Sequence, residues 1–237
     1  MAKAVSGGLT PEEEALLELR WSPALSAAHR LCARGTLEAC RDALKGGLGL
    51  HVGGGSHHAF AGHGEGYCLL NDLAAALLAL QAERRLSRAA VVDLDVHQGN
   101  GTAAILAGRQ GLFTFSMHQE DLYPAVKPPS TRDVGLPAGT EDAKYLRILE
   151  EELAAFLARR PELVLYQAGV DVWEGDALGG LALSAEGVAA RDRLVFSACR
   201  ARGIPVAVTL GGGYAERPET TAELHARTMR IALETFK

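Results

Sequence analysis

The chain has 237 residues, of which 48% are hydrophobic and 22% charged, with a formal net charge of −5. That is enough chain for one sizeable core of ordinary globular composition. The charge offers no basic footprint for nucleic acid, no apolar run approaches a membrane span, and Met1–Pro11 lacks the apolar core of a secretory signal.

In chain order, one or two shorter helices fill 11–45 and a strand is expected at 48–52. A helical pattern covers 69–85, followed by a strand at 89–94, a helix at 101–108 and a strand at 112–117. The stretch 118–139, with prolines at 124, 128, 129 and 137, reads as a long irregular loop, usually functional or mobile in a compact domain. A helix at 141–160, a strand at 163–168, a helix at 185–202, a strand at 204–210 and a helix at 218–236 complete the chain. Strands that alternate with helices predict an α/β fold in three layers, a parallel sheet with helices on both faces. The continuously apolar Ala90-Val91-Val92 and Leu163-Val164-Leu165 suit strands with no wet face. No linker or repeat divides residues 1–237, which read as one domain. Four cysteines (Cys32, Cys40, Cys68, Cys199) lack CxxC spacing and read as reduced thiols of a cytoplasmic protein.

The chemistry-bearing residues fall just after the apolar runs, where an open parallel sheet presents its ligand site, at the carboxyl ends of its strands. Asp93, Asp95 and His97 stand at i, i+2 and i+4 after one strand, and Asp171 follows another. Acidic groups so near a buried strand are costly without a partner. Asp95, His97 and Asp171 together make a three-point metal site with one open position, as a catalytic centre requires. His57 and His58 follow the turn Gly53-Gly54-Gly55-Ser56. Two imidazoles can divide amide hydrolysis, one moving protons and one holding charge near the oxyanion. Each needs an acceptor on its far nitrogen, and Asp93 and Asn100 are the candidates. Tyr214, ending Gly211-Gly212-Gly213-Tyr214, could donate to a carbonyl oxygen, and Tyr67 could wall an apolar channel.

Taken together, GGGSHHAF, GEGYC, DLDVHQGNGT, AGVDVWEGDALGG and LGGGY resemble the histone deacetylase superfamily, the arginase-like metallohydrolases, from about Leu50 to the C-terminus. The details look most like the class IV branch and its bacterial relatives. The resemblance implies Zn²⁺, with Fe²⁺ as the alternative, on Asp95, His97 and Asp171. It makes His58 the base that activates water and the acid toward the amine, His57 with Asp93 its electrostatic partner, and Tyr214 the group polarising the carbonyl. Gly66, Tyr67, Leu178 and Gly213 would line the channel. A structural K⁺ would sit behind, held by Asp93, Asp95, His97, Ser116 and Met117. The implied reaction is hydrolysis of an acylated lysine, in a peptide or protein, or of a related acylated amine. Asn100 stands where part of the family has aspartate, so His58 should be less basic than a carboxylate-paired imidazole. The chain also starts some tens of residues into the family's usual domain. A missing sheet edge and rim are therefore expected, which a second copy of the chain could cover. Two alternatives remain at this point: a binuclear manganese ureohydrolase, disfavoured because Asp171-Val172-Trp173 replaces the Asp-x-Asp it needs, and a non-catalytic binding or scaffold relative.

Overall fold

Along β2 (Ala89–Asp93) successive side chains feed two different cores. Ala89 and Val91 pack on one face of the sheet with Leu163, Leu165 and Ala207, while Ala90 and Val92 pack on the other with Val164, Tyr166, Val206 and Val208. The period of two and the burial of both faces explain why these runs contain almost no polar residue. The structure is a computed structural model that describes residues 2–237; of the segment Met1–Pro11 read above for a secretory signal, Met1 lies outside the described residues.

Among the described residues six strands, all parallel, form one sheet in the order β1-β6-β5-β2-β3-β4. The others are β1 (Leu48–Leu50), β3 (Leu112–Gln119), β4 (Arg132–Leu136), β5 (Val164–Gln167) and β6 (Val206–Thr209). Helices α3 (Pro23–Gly46), α4 (Asp72–Ala82) and α5 (Asn100–Leu106) cover one face. Helices α6 (Asp142–Leu157), α7 (Ala185–Arg200) and α8 (Pro218–Thr235) cover the other. Among the described residues no helix is long and apolar enough to cross a membrane.

Two expectations need correction. The stretch 118–139 is not wholly irregular, because β4 lies within it and pairs with β3 in register from Phe115↔Arg132 to Gln119↔Leu136. As the outermost strand β4 has one neighbour only, and it carries Arg132, Asp133 and Gly135 where an interior strand would carry apolar side chains. The helices before β1 are also not all short. After α1 (Ala2–Ser6) and α2 (Pro11–Leu17), α3 runs for 24 residues, started by the Ser22 side chain accepting the N–H of Leu25 and ended by a left-handed Gly47.

The strand order reverses between β2 and β5. From β2 the chain moves to β3 and then β4 on one side, whereas from β5 it moves to β6 on the other. The two connections diverge and leave a crevice at the carboxyl ends of these central strands, the usual ligand position in such sheets.

Candidate active site

Asp95 and His97 leave β2 into that crevice, and Asp171 enters it four residues beyond the end of β5. The backbone is no longer extended past Asp93, so the three residues at i, i+2 and i+4 separate into two roles. Asp93 turns toward His57, while the ligand atoms of Asp95, His97 and Asp171 lie within 4.8 Å of one another. His97 Nδ1 is 3.0 Å from Asp95 Oδ1 and 3.2 Å from Asp171 Oδ2.

The carboxylates are held from behind. Asp95 Oδ2 accepts from Gln167 Nε2 at 2.9 Å and from the N–H of Gly212 at 2.8 Å, and Asp171 Oδ1 accepts from the N–H of Val96 at 2.9 Å. Gly212 has to be glycine, since an added Cβ would fall 2.1 Å from Asp171 Oδ2 and 2.8 Å from Asp95 Oδ2. Among the described residues Asp171 Oδ2, fully buried, has no hydrogen-bond partner, although His97 Nδ1 lies 3.2 Å away. A buried carboxylate oxygen left open among two oxygen donors and an imidazole fits a divalent cation. Burial, then the charge of Asp95, pushes the Asp171 carboxyl up to about 7. Burial disfavours charge on His97, but Asp171 and Asp95 override it and lift the imidazole to about 10.

The histidine pair lies against this group, with the His58 and His97 ring centroids 5.8 Å apart. Its backbone is clamped by Asn71, which caps α4 through Ala74 N–H and donates Nδ2 to the carbonyls of His57 and Ala59. Asp72 accepts the N–H groups of Gly55 and Ser56 and so fixes the glycine turn. His57 Nδ1 meets Asp93 Oδ2 at 2.8 Å, and His58 Nδ1 meets Asn100 Oδ1 at 2.8 Å. Their environments drive them apart. Burial opposes charge on His57, yet Asp93 and Asp95 outweigh it and raise its pKa to about 9. Burial, reinforced by His57, holds His58 well below the usual imidazole value. One ring is therefore a cation and the other a neutral base at pH 7.

Around the mouth, Tyr67 (40% exposed) lies with its ring centroid 6.2 Å from that of Tyr214, and Leu178 is exposed at 42%. Burial and then Asp95 push the Tyr214 phenol above its ordinary value, so it remains a donor. Asp176 joins its loop to the last one by accepting from Tyr214 N–H at 2.6 Å and from the N–H groups of Leu178 and Gly179. Gly66 is buried, and a Cβ there would sit 2.9 Å from the His58 ring and 3.0 Å from the Tyr123 hydroxyl. A side chain on Gly213 would point inward against Val170 and Thr221, so this residue offers only backbone to a channel. Of the residues expected around K⁺, Asp93 and Ser116 are register partners across β2 and β3, and Ser116 Oγ lies 2.9 Å from His118 Nδ1.

The histone deacetylase domain matches residues 9–231. The chain belongs to the histone deacetylase family. Among relatives, an uncharacterized protein of Picosynechococcus sp. is 43% identical over 97% of this chain and 77% of its own length. Histone deacetylase 2 of Arabidopsis thaliana is 35% identical over 76% of this chain and 48% of its own. A histone deacetylase-like amidohydrolase of Pseudomonas aeruginosa is 31% identical over 68% and 46%. The chain thus spans about half the length of these two named deacetylase relatives.

This deacetylase-family site includes residues that sequence reasoning missed. Glu65 contacts Asn100 and Tyr123; Gln167 holds Asp95; Gln98 ties the 120–131 loop by donating to Pro128 O at 2.8 Å and Asp133 Oδ1 at 3.0 Å. Arg191 donates to the carbonyls of Leu94 and Gly169, beside the two acidic ligands. Glu65 and Gln98 stood inside motifs already quoted, GEGYC and DLDVHQGNGT, whereas Gln167 and Arg191 carried no signal.

Proposed function

We propose that the chain is a zinc-dependent deacylase that hydrolyses the amide of an acylated lysine or a related acylated amine. Membership of the family supports the coarser statement, deacetylase-type hydrolysis. The observation that supports the finer one is the buried cluster of Asp95, His97 and Asp171, in which Asp171 Oδ2 lacks a hydrogen bond. Against it lies the neutral His58, its ring centroid 5.8 Å from that of His97. Zinc held by Asp95, His97 and Asp171 would supply a Lewis acid for the scissile carbonyl and acidify a water molecule. The oxygen and nitrogen donors suit ferrous iron as well.

The chain's own residues supply the rest. His58 takes the proton of the attacking water at Nε2 and returns it to the departing amine, while its Nδ1–H stays on Asn100. His57 keeps a positive charge next to the developing oxyanion because Asp93 holds its Nδ1 proton. Tyr214, protonated across the physiological range, donates to the carbonyl oxygen. Tyr67 and Leu178 exclude water around the aliphatic stem of the substrate. In the same proposal Asp93, Asp95, His97, Ser116 and Met117 hold a structural potassium ion.

The test is a panel of acyl-lysine peptides and acetylated polyamines, assayed with and without chelator. Turnover that chelator abolishes and zinc restores is expected, with His58→Ala lowering kcat by about 10²- to 10⁴-fold. Wild-type rates equal to those of His58→Ala would remove His58 from the mechanism. No turnover on any substrate would leave a metal-binding relative without catalysis.

A further inference from the structure

Behind His58 the hydrogen bonds converge on a residue that the mechanism above does not use. Glu65 Oε1 accepts from Asn100 Nδ2 at 2.7 Å and from the Tyr123 hydroxyl at 2.7 Å, and Oε2 lies 3.3 Å from His63 Nε2. On its other side Asn100 offers Oδ1 to His58 Nδ1–H at 2.8 Å and to the N–H of Gly101 at 3.0 Å. A carboxamide is a donor at one end and an acceptor at the other. Rotated by half a turn, Asn100 would set its NH₂ against two N–H donors and its oxygen against a carboxylate. Both ends therefore select one orientation, and Asn100 is buried at 1% exposure, where mismatched polar atoms are costly.

We propose that Glu65 is a positioning residue, which locks the Asn100 amide with its oxygen toward His58 and lends it the negative charge an asparagine lacks. The inference rests on the deacylase reading of His58. Glu65 polarises the amide through Nδ2, so that Oδ1 becomes a stronger acceptor for the imidazole N–H. Tyr123 joins the same oxygen from the 120–131 loop and stands edge-on to His58 with ring centroids 5.0 Å apart. A rim residue and the proton carrier thus share one anchor. Asn100 and Glu65 form a matched pair, so aspartate at position 100 is not equivalent to asparagine in this chain. It would bring two carboxylates to hydrogen-bond distance with no proton between them.

The experiment is a double-mutant cycle on the zinc-loaded full chain: wild type, Glu65→Gln, Asn100→Asp and the double variant. Asn100→Asp should lose more than about tenfold in kcat with KM little changed, within the coupling range of contacting residues. Glu65→Gln/Asn100→Asp should regain most of that loss, because Gln Nε2 can donate to the new carboxylate. An Asn100→Asp enzyme as fast as wild type, or a double variant no better than Asn100→Asp, overturns the proposal. A second readout needs no turnover. The Asn100 side-chain NH₂ signal in a ¹H–¹⁵N spectrum, assigned by its loss in Asn100→Asp, should be downfield and slowly exchanging. It should collapse in Glu65→Ala and shift upfield to a lesser extent in Glu65→Gln. If wild type turns over no acylated amine while this signal depends on Glu65, the deacylase reading fails and the positioning role stands. If the signal is indifferent to Glu65, the positioning role fails whatever the activity.

Discussion

Two groups of buried charge lie near each other in this protein, and they are finished differently. Asp192 is saturated: Oδ1 accepts from Arg191 Nε at 3.0 Å and Nη2 at 2.8 Å and from Tyr166 OH at 2.6 Å, and Oδ2 accepts from Thr228 at 2.6 Å. Asp171, equally buried, takes one N–H on Oδ1 and leaves Oδ2 without a hydrogen bond, with His97 Nδ1 3.2 Å from it. A buried ion pair with every lone pair satisfied is a brace, because removing one member strands the other. A buried carboxylate left one partner short is a receptor. The brace also supports the receptor. Arg191 uses Nη1 on Leu94 O, next to Asp95, and on Gly169 O, two residues before Asp171.

The contrast can be tested from its strong end downward. Asp171→Asn should weaken zinc binding by more than the roughly 100-fold ceiling of outer-shell substitutions. It should leave the Tm of the metal-free protein nearly unchanged, since relief of the burial and Asp95 repulsion on Asp171 is offset by the loss of its contact with His97. A lowered Tm would make Asp171 a brace too. Arg191→Met should cost about 3–5 kcal/mol of stability by leaving Asp192 buried and uncompensated, read from denaturant melts of the metal-free protein. A change below about 1 kcal/mol, the size of a single ordinary hydrogen bond, would dissolve the distinction. Gln167→Ala, which frees Asp95 Oδ2 of one donor, should weaken zinc binding by about 10- to 100-fold with little loss of Tm. The mildest effect is on pH. With His97 lifted to about 10 and Asp171 to about 7, the ligands must give up protons to a cation. Affinity should therefore rise with pH between 6 and 9, by up to about tenfold per unit for each proton released. Calorimetry in buffers of different ionisation enthalpy counts those protons, and a count near zero would contradict the raised values.

Much of the site was legible because its members sit in short motifs at the ends of apolar runs. His57-His58, Asp93 to His97 and Asp171 are all of this kind, and the sheet's parallel order followed from strands alternating with helices. What was hidden depends on distant pairing. Gly212 reaches Asp95 across 117 residues and Arg191 reaches Leu94 across 97, and no local pattern says that either pair meets. Glu65 lies inside a recognisable motif, but its partners Asn100 and Tyr123 are 35 and 58 residues away. β4 escaped because an edge strand need not be apolar on both faces, and Arg132, Asp133 and Gly135 look like loop residues.

The placement of β5 between β2 and β6 sets a timetable for biosynthesis. A nascent polypeptide halted before Asp171 owns Asp95 and His97 but not the third ligand. Even a longer one lacks the N–H that steadies Asp95 until Gly212 has been added. A cation held by Asp95, His97 and Asp171 would therefore meet its full set of donors only once β5 has taken its place beside β2.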